Sequence, residues 1–487
     1  MMKNTWKRTL AGLSVLTMAL SAFTSCSGNS TSNTSKSSKA SSSAVTEEST
    51  ENTESTTASK KKSSSALEAE STSHKTNASG VIDTTDMFSD RDMSQSADTS
   101  EAKALTVSDD KTIEITEAGV YTVSGSAKNC TIKIDADKEA KVQLVLDGVT
   151  VENENFPVIY AVSADKVFVT STGSENKLSV TESFTADGDT NTDAVIFSKD
   201  DLVLNGTGSV TVYSPYGNGI SSKDDLKITG GTYDITSAKD AFEANDSIAI
   251  CGGDFIIKTQ KDGFHCENDE DNTLGSIYIS GGTFDITAGS DGIQGTTYVQ
   301  IDGGTYSIEA SEGIEATYVQ INGGEITINA SDDGINATRK STACDIVVEF
   351  NGGYTTITMG QGDTDGVDAN GSIYVNGGTI DITAQMSSFD YDAAAEFNGG
   401  TIIVNGEEVS EIPQSMMGGH GGMGGFGGQG GFGGGMGTPP DGEFGGGMGT
   451  PPDGEFGGGM GTPPDGEFGG GRGNHGRMNK TSEQSGI

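Results

Sequence analysis

Tryptophan, cysteine and basic side chains are all scarce in this chain. It holds one tryptophan and five cysteines, and 29 lysine and arginine residues stand against 70 aspartate and glutamate residues. Basic residues that are few and scattered exclude a nucleic-acid-binding surface. The only tryptophan, Trp6, lies near the N-terminus, so any ring that stacks on a ligand in the later part of the chain must come from tyrosine.

The cysteine pattern excludes one further class. After Cys26 there is no CxxC pair and no histidine at zinc-like spacing, which excludes a zinc framework. We therefore expect buried thiols, and a disulfide between Cys251 and Cys266 is the alternative.

Both ends of the chain have the composition of segments without a core, and they account for most of the low hydrophobic content of 33%. Residues 26–104 are rich in Ser, Thr, Lys and Glu, which predicts a disordered linker. Residues 413–487 are Gly/Pro-rich and carry a repeat of twelve residues that starts at Thr438, so we predict a low-complexity tail.

The first residues are typical of a secretion signal. Basic residues precede an apolar run from Leu10 to Leu20, which is too short for a permanent membrane span, and Phe23-Thr-Ser-Cys26 follows. This predicts a lipoprotein signal peptide over 1–25 and a lipid on Cys26, with an ordinary cleaved signal as the alternative. We expect an extracellular protein that is lipid-anchored to the cell membrane, at the cell surface.

A repeated phrase fills the region between the ends. Pairs of glycines start at 230, 252, 281, 303, 323, 352, 377 and 399, each between two strands of alternating apolar residues. Such a period with strands in each unit predicts an all-β solenoid, a parallel β-helix in which one repeat forms one rung. Residues before the pairs, such as Val299 and Ile301, and after them, such as Tyr306 and Ile308, are the predicted core columns. We predict that this domain spans 105–412.

These phrases resemble a known family. Leu144-Val-Leu-Asp-Gly-Val149, the Lys-Asp-Asp-Leu turns at 199 and 223, and the repeated Gly-Gly-Thr-Phe-Asp-Ile-Thr and Asp-Gly-Ile-Asn-Ala phrases are similar to the carbohydrate-binding domain of clostridial surface proteins. The resemblance implies a right-handed parallel β-helix that carries calcium, binds cellulose and pectic acid, and is similar in fold to family 9 polysaccharide lyases. It covers roughly residues 105 to 410.

Acidic turns recur about nine residues after most glycine pairs, and a second polar position follows three residues later. Stacked rungs place these side chains in columns, where like charges repel unless cations intervene. Oxygen ligands without a His or Cys cluster favour calcium, whereas plain Asp-Gly turn chemistry is the alternative explanation. The predicted metal ligands are Asp240, Glu243, Asp262, Asp291, Glu312, Glu315, Asp333, Asp365 and Asp368. The richest clusters are expected at Asp240 with Glu243, Glu312 with Glu315, and Asp365 with Asp368, while the second position also holds His265, Gln294 and Asn336.

An outward row of aromatic and amide side chains is the candidate sugar-binding surface. Rings contact the apolar faces of pyranoses and amides bond their hydroxyl groups, although aromatic residues also suit exposed strands by propensity alone. The predicted ligand-binding residues are Tyr278, Tyr298, Gln300, Tyr318, Gln320 and Tyr374.

Three functions remain open from the sequence. The first is a calcium-dependent polysaccharide-binding module, which we expect to be a monomer without catalytic residues. The second is a pectate lyase-like enzyme, in which a lysine before an aspartate, such as Lys223 or Lys261, acts as the base. The third is a structural or adhesive rod.

Overall fold

The structure, a computed structural model, describes residues 80–414 except Asp269 and Asp363. The predicted signal peptide, the lipid site at Cys26, the linker up to residue 79 and the tail from residue 415 lie outside the described residues. In the part of the chain that is described, no helix has the length and apolar character needed to cross a bilayer.

The described residues form one short helix and 36 strands. The helix is α1 (Asp90–Met93). The first twelve strands are β1 (Lys103–Thr106), β2 (Lys111–Ile115), β3 (Gly119–Lys128), β4 (Cys130–Asp135), β5 (Lys141–Asn153), β6 (Ile159–Ser163), β7 (Lys166–Ser171), β8 (Glu175–Val180), β9 (Ala194–Ser198), β10 (Asp201–Gly206), β11 (Ser209–Ser214) and β12 (Asn218–Ser222). The next twelve are β13 (Asp225–Ile228), β14 (Thr232–Ser237), β15 (Phe242–Ala244), β16 (Ser247–Ile250), β17 (Asp254–Thr259), β18 (Phe264–Cys266), β19 (Ser276–Ile279), β20 (Thr283–Thr287), β21 (Asp291–Gly295), β22 (Tyr298–Ile301), β23 (Thr305–Ala310) and β24 (Glu312–Ala316). The last twelve are β25 (Tyr318–Ile321), β26 (Glu325–Ala330), β27 (Ile335–Ala337), β28 (Val347–Phe350), β29 (Tyr354–Met359), β30 (Asp365–Ala369), β31 (Ser372–Val375), β32 (Thr379–Thr383), β33 (Ser387–Tyr391), β34 (Ala395–Phe397), β35 (Thr401–Val404) and β36 (Glu407–Val409).

The strands stack in three columns, and from β7 to β33 each rung contributes one strand to each column, whereas the long strand β5 runs through two columns. The first column runs through β13, β16, β19, β22, β25, β28 and β31, and the second through β14, β17, β20, β23, β26, β29 and β32. The third column is a separate sheet of twelve strands that includes β15, β18, β21, β24, β27 and β30. Neighbouring rungs pair in parallel, as β22 does with β25 and β23 with β26, whereas β36 closes the last rung by pairing antiparallel with β35. The predicted parallel β-helix is confirmed.

The core runs along the inside of the three columns. Successive strand residues face opposite sides, and the predicted inward residues are at most 2% exposed at Val299, Ile301, Tyr306 and Ile308. The four cysteines among the described residues are free thiols, and Cys130 and Cys266 are buried, so the alternative of a Cys251–Cys266 disulfide is not formed.

The two glycines of a Gly-Gly pair are required for different physical reasons. At the pair that starts at residue 303, Gly304 has φ +109°, a conformation that side chains disfavour. A Cβ on Gly303 would lie 2.7 Å from the carbonyl oxygen of Ser280 in the previous rung. The pair thus combines a turn with a close approach of two backbones.

The glycines of the acidic turns are needed for packing. A Cβ on Gly313 would lie 2.4 Å from the carbonyl oxygen of Gly334 and 2.6 Å from Cγ2 of Ile328, so the glycine leaves room for the next rung. Turn conformation does not explain this position, because the glycines that have positive φ do not include Gly313.

Replacing Gly313 with alanine is therefore expected to lower the free energy of unfolding by about 1–3 kcal/mol, the usual cost of overpacking. Gly173→Ala is the matched control, since a Cβ there meets nothing within 4 Å. Denaturant unfolding followed by circular dichroism measures both variants, and equal midpoints would contradict this explanation of the glycine.

The asparagines before the glycine pairs form a ladder at one corner. Nδ2 of Asn351 donates to Oδ1 of Asn322 (2.8 Å), and Nδ2 of Asn376 donates to Oδ1 of Asn351 (2.9 Å). Asn398 continues the ladder by donating to Asn376 (3.0 Å). The amides therefore bond one another from rung to rung.

Candidate functional site

The acidic turns stack at the start of the third-column strands. Three of the aspartates accept a hydrogen bond from the backbone N–H of the next residue in the column. Oδ1 of Asp240 accepts from Asp262 (3.1 Å), and Oδ1 of Asp262 accepts from Asp291 (3.0 Å). Asp333 Oδ1 does the same for Asp365 (3.1 Å). These aspartates consequently have a structural role as caps between rungs, in addition to any role in binding a metal.

The second polar position is also aligned. Strand pairing places Glu243 beside His265, His265 beside Gln294, and Gln294 beside Glu315. Asn336 and Asp368 continue this row. Both predicted columns are therefore present on one side of the solenoid.

Two groups of three side chains bring their ligand atoms within 4.8 Å of one another. One consists of Asp240, Asp262 and His265, and we call it the histidine cluster. The other consists of Asp291, Glu312 and Glu315, and we call it the carboxylate cluster.

The structure differs from the predicted pairing of Asp240 with Glu243. Glu243 instead accepts hydrogen bonds from Asn218 (2.9 Å) and Ser221 (2.7 Å) and pairs with Lys223 (3.0 Å). Asp240 is contacted by His265 from the next rung. The reason is that Asn218, one rung earlier, lies where it can bond both Glu243 and the backbone N–H of Asp240.

The histidine cluster supplies its own cation. Nδ1 of His265 lies 3.1 Å from Asp262 and 3.4 Å from Asp240. Burial alone would lower the pKa of His265, but the close contacts with the two aspartates and their charges outweigh it and raise this pKa to about 10. Burial would likewise raise the pKa of Asp240, but the contact with His265 and the charges of His265 and Lys261 together outweigh it and lower this pKa. A protonated imidazole is not a metal ligand, so a cation would have to displace a proton here.

The carboxylate cluster has an excess of negative charge. Burial and the charges of Asp262, Glu312 and Glu315 raise the pKa of Asp291 to about 8. Burial, outweighing the hydrogen bond from Asn336, also raises the pKa of Glu312. One lysine, Lys340, contacts the cluster through Nζ, 2.7 Å from Glu315.

Carboxylate crowding continues into the next rungs. Burial raises the pKa of Asp333 to about 7, and burial together with Asp333 and Asp365 raises that of Asp368 to about 7. Oδ1 of Asn336, between these rungs, is buried without a hydrogen-bond donor, while its Nδ2 donates to Glu312 (3.0 Å). A buried acceptor among carboxylates suits a hard cation, so the residues fit calcium chemically.

Gln294 separates the two clusters. Its amide is assigned the orientation that satisfies both neighbours, in which the nitrogen donates to Oδ2 of Asp262 (3.1 Å) and the oxygen accepts from Nζ of Lys340 (2.7 Å). Sequence reasoning missed Lys340, because it lies in the loop between β27 and β28 and belongs to no column. The long spacing of 29 residues between the glycine pairs at 323 and 352 was the available signal for an inserted loop.

The predicted ligand row lies on the outer side of the first column, but much of it is buried. Tyr278 and Tyr318 are 9% and 7% exposed, Gln300 and Gln320 are each 1% exposed, and Tyr298 is half-buried. Tyr374 is also half-buried.

Residues 80–95 include a segment that lies against the two glutamines of this row. We call residues 80–95 the strap, and they lie within the predicted linker, yet they contain α1 and bond the row directly. The backbone N–H of Val81 donates to Oε1 of Gln320 (3.1 Å), and that of Ile82 donates to Oε1 of Gln300 (2.8 Å). The row is thus occupied by the chain itself.

Carboxylates fix the orientation of the row's amides. Nε2 of Gln300 donates to Asp302 (2.9 Å), and Nε2 of Gln320 donates to Glu349 (2.7 Å). The hydroxyl of Tyr318 also donates to Glu349 (2.8 Å). Both amide oxygens consequently point away from the carboxylates and accept from the strap.

Comparisons with known proteins give a consistent assignment. A family described as carbohydrate-binding domain-containing protein matches residues 109–366. A protein of that description from Acetivibrio thermocellus is 42% identical over 201 residues, which are 41% of this chain and 70% of the relative. A solved structure, a polysaccharide lyase-like protein from C. thermocellum, is 32% identical and covers 44% of this chain and 93% of its own, with a TM-score of 0.42. The chain belongs to the family of carbohydrate-binding domain-containing proteins.

Proposed function

We propose that this protein is an extracellular, lipid-anchored, calcium-binding protein that recognises plant or cell-wall polysaccharide, cellulose or polygalacturonate, on the surface of its β-helix. Family membership supports polysaccharide as the partner. The lipid anchor at Cys26 and the cell-surface location rest on the N-terminal sequence.

The observation that carries the calcium proposal is the carboxylate cluster with the orphaned oxygen of Asn336 beyond it. Asp291, Glu312 and Glu315 would hold the cation. A rotation of the Asn336 amide, whose nitrogen donates to Glu312, would bring its oxygen in as a neutral ligand. When bound, calcium would neutralise the cluster and could bridge to a uronate carboxylate, which the acidic surface would otherwise repel.

A binding role is favoured over a lyase. A lyase base must be deprotonated near neutral pH, and Lys261 does not meet this requirement. Burial alone would lower the pKa of Lys261, but Asp240 and Asp262 outweigh it and raise this pKa. Lys223 and Lys239 are likewise held in ion pairs, with Glu243 and Asp193.

Retention on polygalacturonate and on cellulose tests the proposal, with the full chain carrying Cys26→Ser so that no lipid is attached. We expect retention on polygalacturonate with calcium and its loss with a chelator. Glu315→Gln should weaken calcium-dependent retention by at least about tenfold, because it removes a charged ligand. Asp234→Asn, an exposed position in the second column, is the control and should bind normally.

Ultraviolet absorbance in the same tubes distinguishes the alternatives. Rising absorbance from unsaturated uronate products would replace the binding proposal with a lyase. If the protein is retained on neither polysaccharide, with calcium or with chelator, a structural or adhesive rod is the remaining explanation.

A further inference from the structure

The strap is attached unequally along its length. Its second half is anchored by Asp92, which is 1% exposed and lies 3.7 Å from Lys166. The backbone oxygen of Asp92 accepts from Asn205 (3.3 Å) and from Thr229 (2.6 Å). Arg91 adds a stacking contact over the ring of Phe168, 4.4 Å from its centroid. These contacts fix residues 87–95 to the rungs before the ligand row.

The first half is held more lightly. It bonds the ligand row through the backbone N–H groups of Val81 and Ile82, and the stretch from Asp83 to Asp86 is exposed. Lys227 donates to the backbone oxygen of Met87 (2.7 Å), where the two halves meet. Among the contacts that the described residues make, residues 80–86 therefore have two hydrogen bonds to the row and no buried side chain, in contrast to the second half with Asp92.

The groups that the strap covers match a neutral sugar. Asp302 and Glu349 engage the amide nitrogens of Gln300 and Gln320, so each glutamine offers its oxygen as an acceptor. A sugar hydroxyl is a donor that can replace the strap's N–H at each oxygen. The same carboxylates would repel a uronate, so this row suits an uncharged polysaccharide.

We propose that residues 80–86 compete with a neutral glucan such as cellulose for the row of Gln300 and Gln320, so that the strap regulates binding at this face. The inference rests on the proposed polysaccharide-binding function and adds its regulation. Apparent affinity is then reduced by the fraction of molecules in which the strap is seated.

The test removes the strap's two donors in the full chain carrying Cys26→Ser. Proline has no N–H, so the double variant Val81→Pro/Ile82→Pro loses both hydrogen bonds to the row. Thr84→Pro, in the exposed stretch, controls for backbone restriction. Gly80→Ala is a second, independent variant, because a Cβ there would lie 2.0 Å from Nε2 of Gln300.

We expect the double variant to bind cellohexaose with about tenfold lower Kd than the parent chain, from the loss of two hydrogen bonds that hold the strap. Gly80→Ala should shift Kd in the same direction, and Thr84→Pro should leave it unchanged. In the parent chain, cellohexaose should speed hydrogen exchange at the amides of Val81 and Ile82.

Two results would overturn the inference, and they differ. If all variants bind cellohexaose with the parent's Kd and exchange at Val81 and Ile82 is insensitive to ligand, then the row binds without regulation by the strap or the sugar binds elsewhere. If neither the parent nor any variant binds cellohexaose, then binding of a neutral glucan itself fails, and regulation fails with it.

Discussion

Chelating calcium is expected to lower the free energy of unfolding of the full chain by about 3 kcal/mol, relative to a buffer in which free calcium is about 100 times its Kd. The reason is that the carboxylate cluster and the rungs up to Asp368 concentrate buried negative charge, which a bound cation would neutralise. Thermal or denaturant unfolding at fixed pH, with and without chelator, measures the difference.

Asp291→Asn sharpens this test, because its expected effect changes sign with calcium. With calcium it should destabilise the protein, since a charged ligand is lost. With chelator it should be neutral or stabilising, because burial and neighbouring carboxylates already disfavour the charge of Asp291. Asp234→Asn should change neither condition. If the free energy of unfolding of the parent chain is the same with calcium and with chelator, the proposal of a resident cation is wrong.

Replacing Phe284 with alanine is expected to cost about 3–5 kcal/mol of unfolding free energy. Its ring is 1% exposed and stacks between Phe255 (4.7 Å between centroids) and Tyr306 (4.5 Å), with nearly parallel planes. The alanine variant leaves a cavity inside a stack that cannot close, because the backbones of the neighbouring rungs fix its spacing.

Tyr354→Ala is the control for Phe284→Ala. Tyr354 lies on the outer side of the second column and is 45% exposed, so its loss should cost well under about 1 kcal/mol. Chemical denaturation followed by circular dichroism measures both variants. Similar losses would mean that the aromatic stack contributes no more than an exposed ring does.

The features that the sequence could predict are those that recur in successive repeats. Val299 and Val319, or Asp262 and Asp291, are equivalent positions in successive repeats, and a parallel solenoid makes such positions neighbours. The inward columns and the rows of carboxylates could therefore be read from the period alone. The reason for the glycine in the acidic turns could not, because it depends on the distance between the Gly313 backbone and the next rung.

Contacts that occur once in the structure, and are not repeated from rung to rung, could not be predicted. The bonds from Val81 to Gln320 and from Ile82 to Gln300 join residues 239 and 218 positions apart and occur once each. The strap also lies in a polar segment whose composition is typical of a linker. Lys340 was missed for the same reason, and the change of partner at Glu243 depends on one side chain, Asn218, in the preceding rung.

The exact register between rungs has a consequence for the length of the protein. Tyr298-Val-Gln-Ile301 and Tyr318-Val-Gln-Ile321 are identical and pair residue by residue. Removing or duplicating one whole repeat at this point joins chemically equivalent neighbours, whereas an insertion of a few residues inside a strand shifts the register of that strand. Extra residues between strands are accommodated as a loop, as between β27 and β28. Genes for such a chain can therefore grow or shrink in units of one rung, and the number of polar positions along its side is set by the number of units it retains.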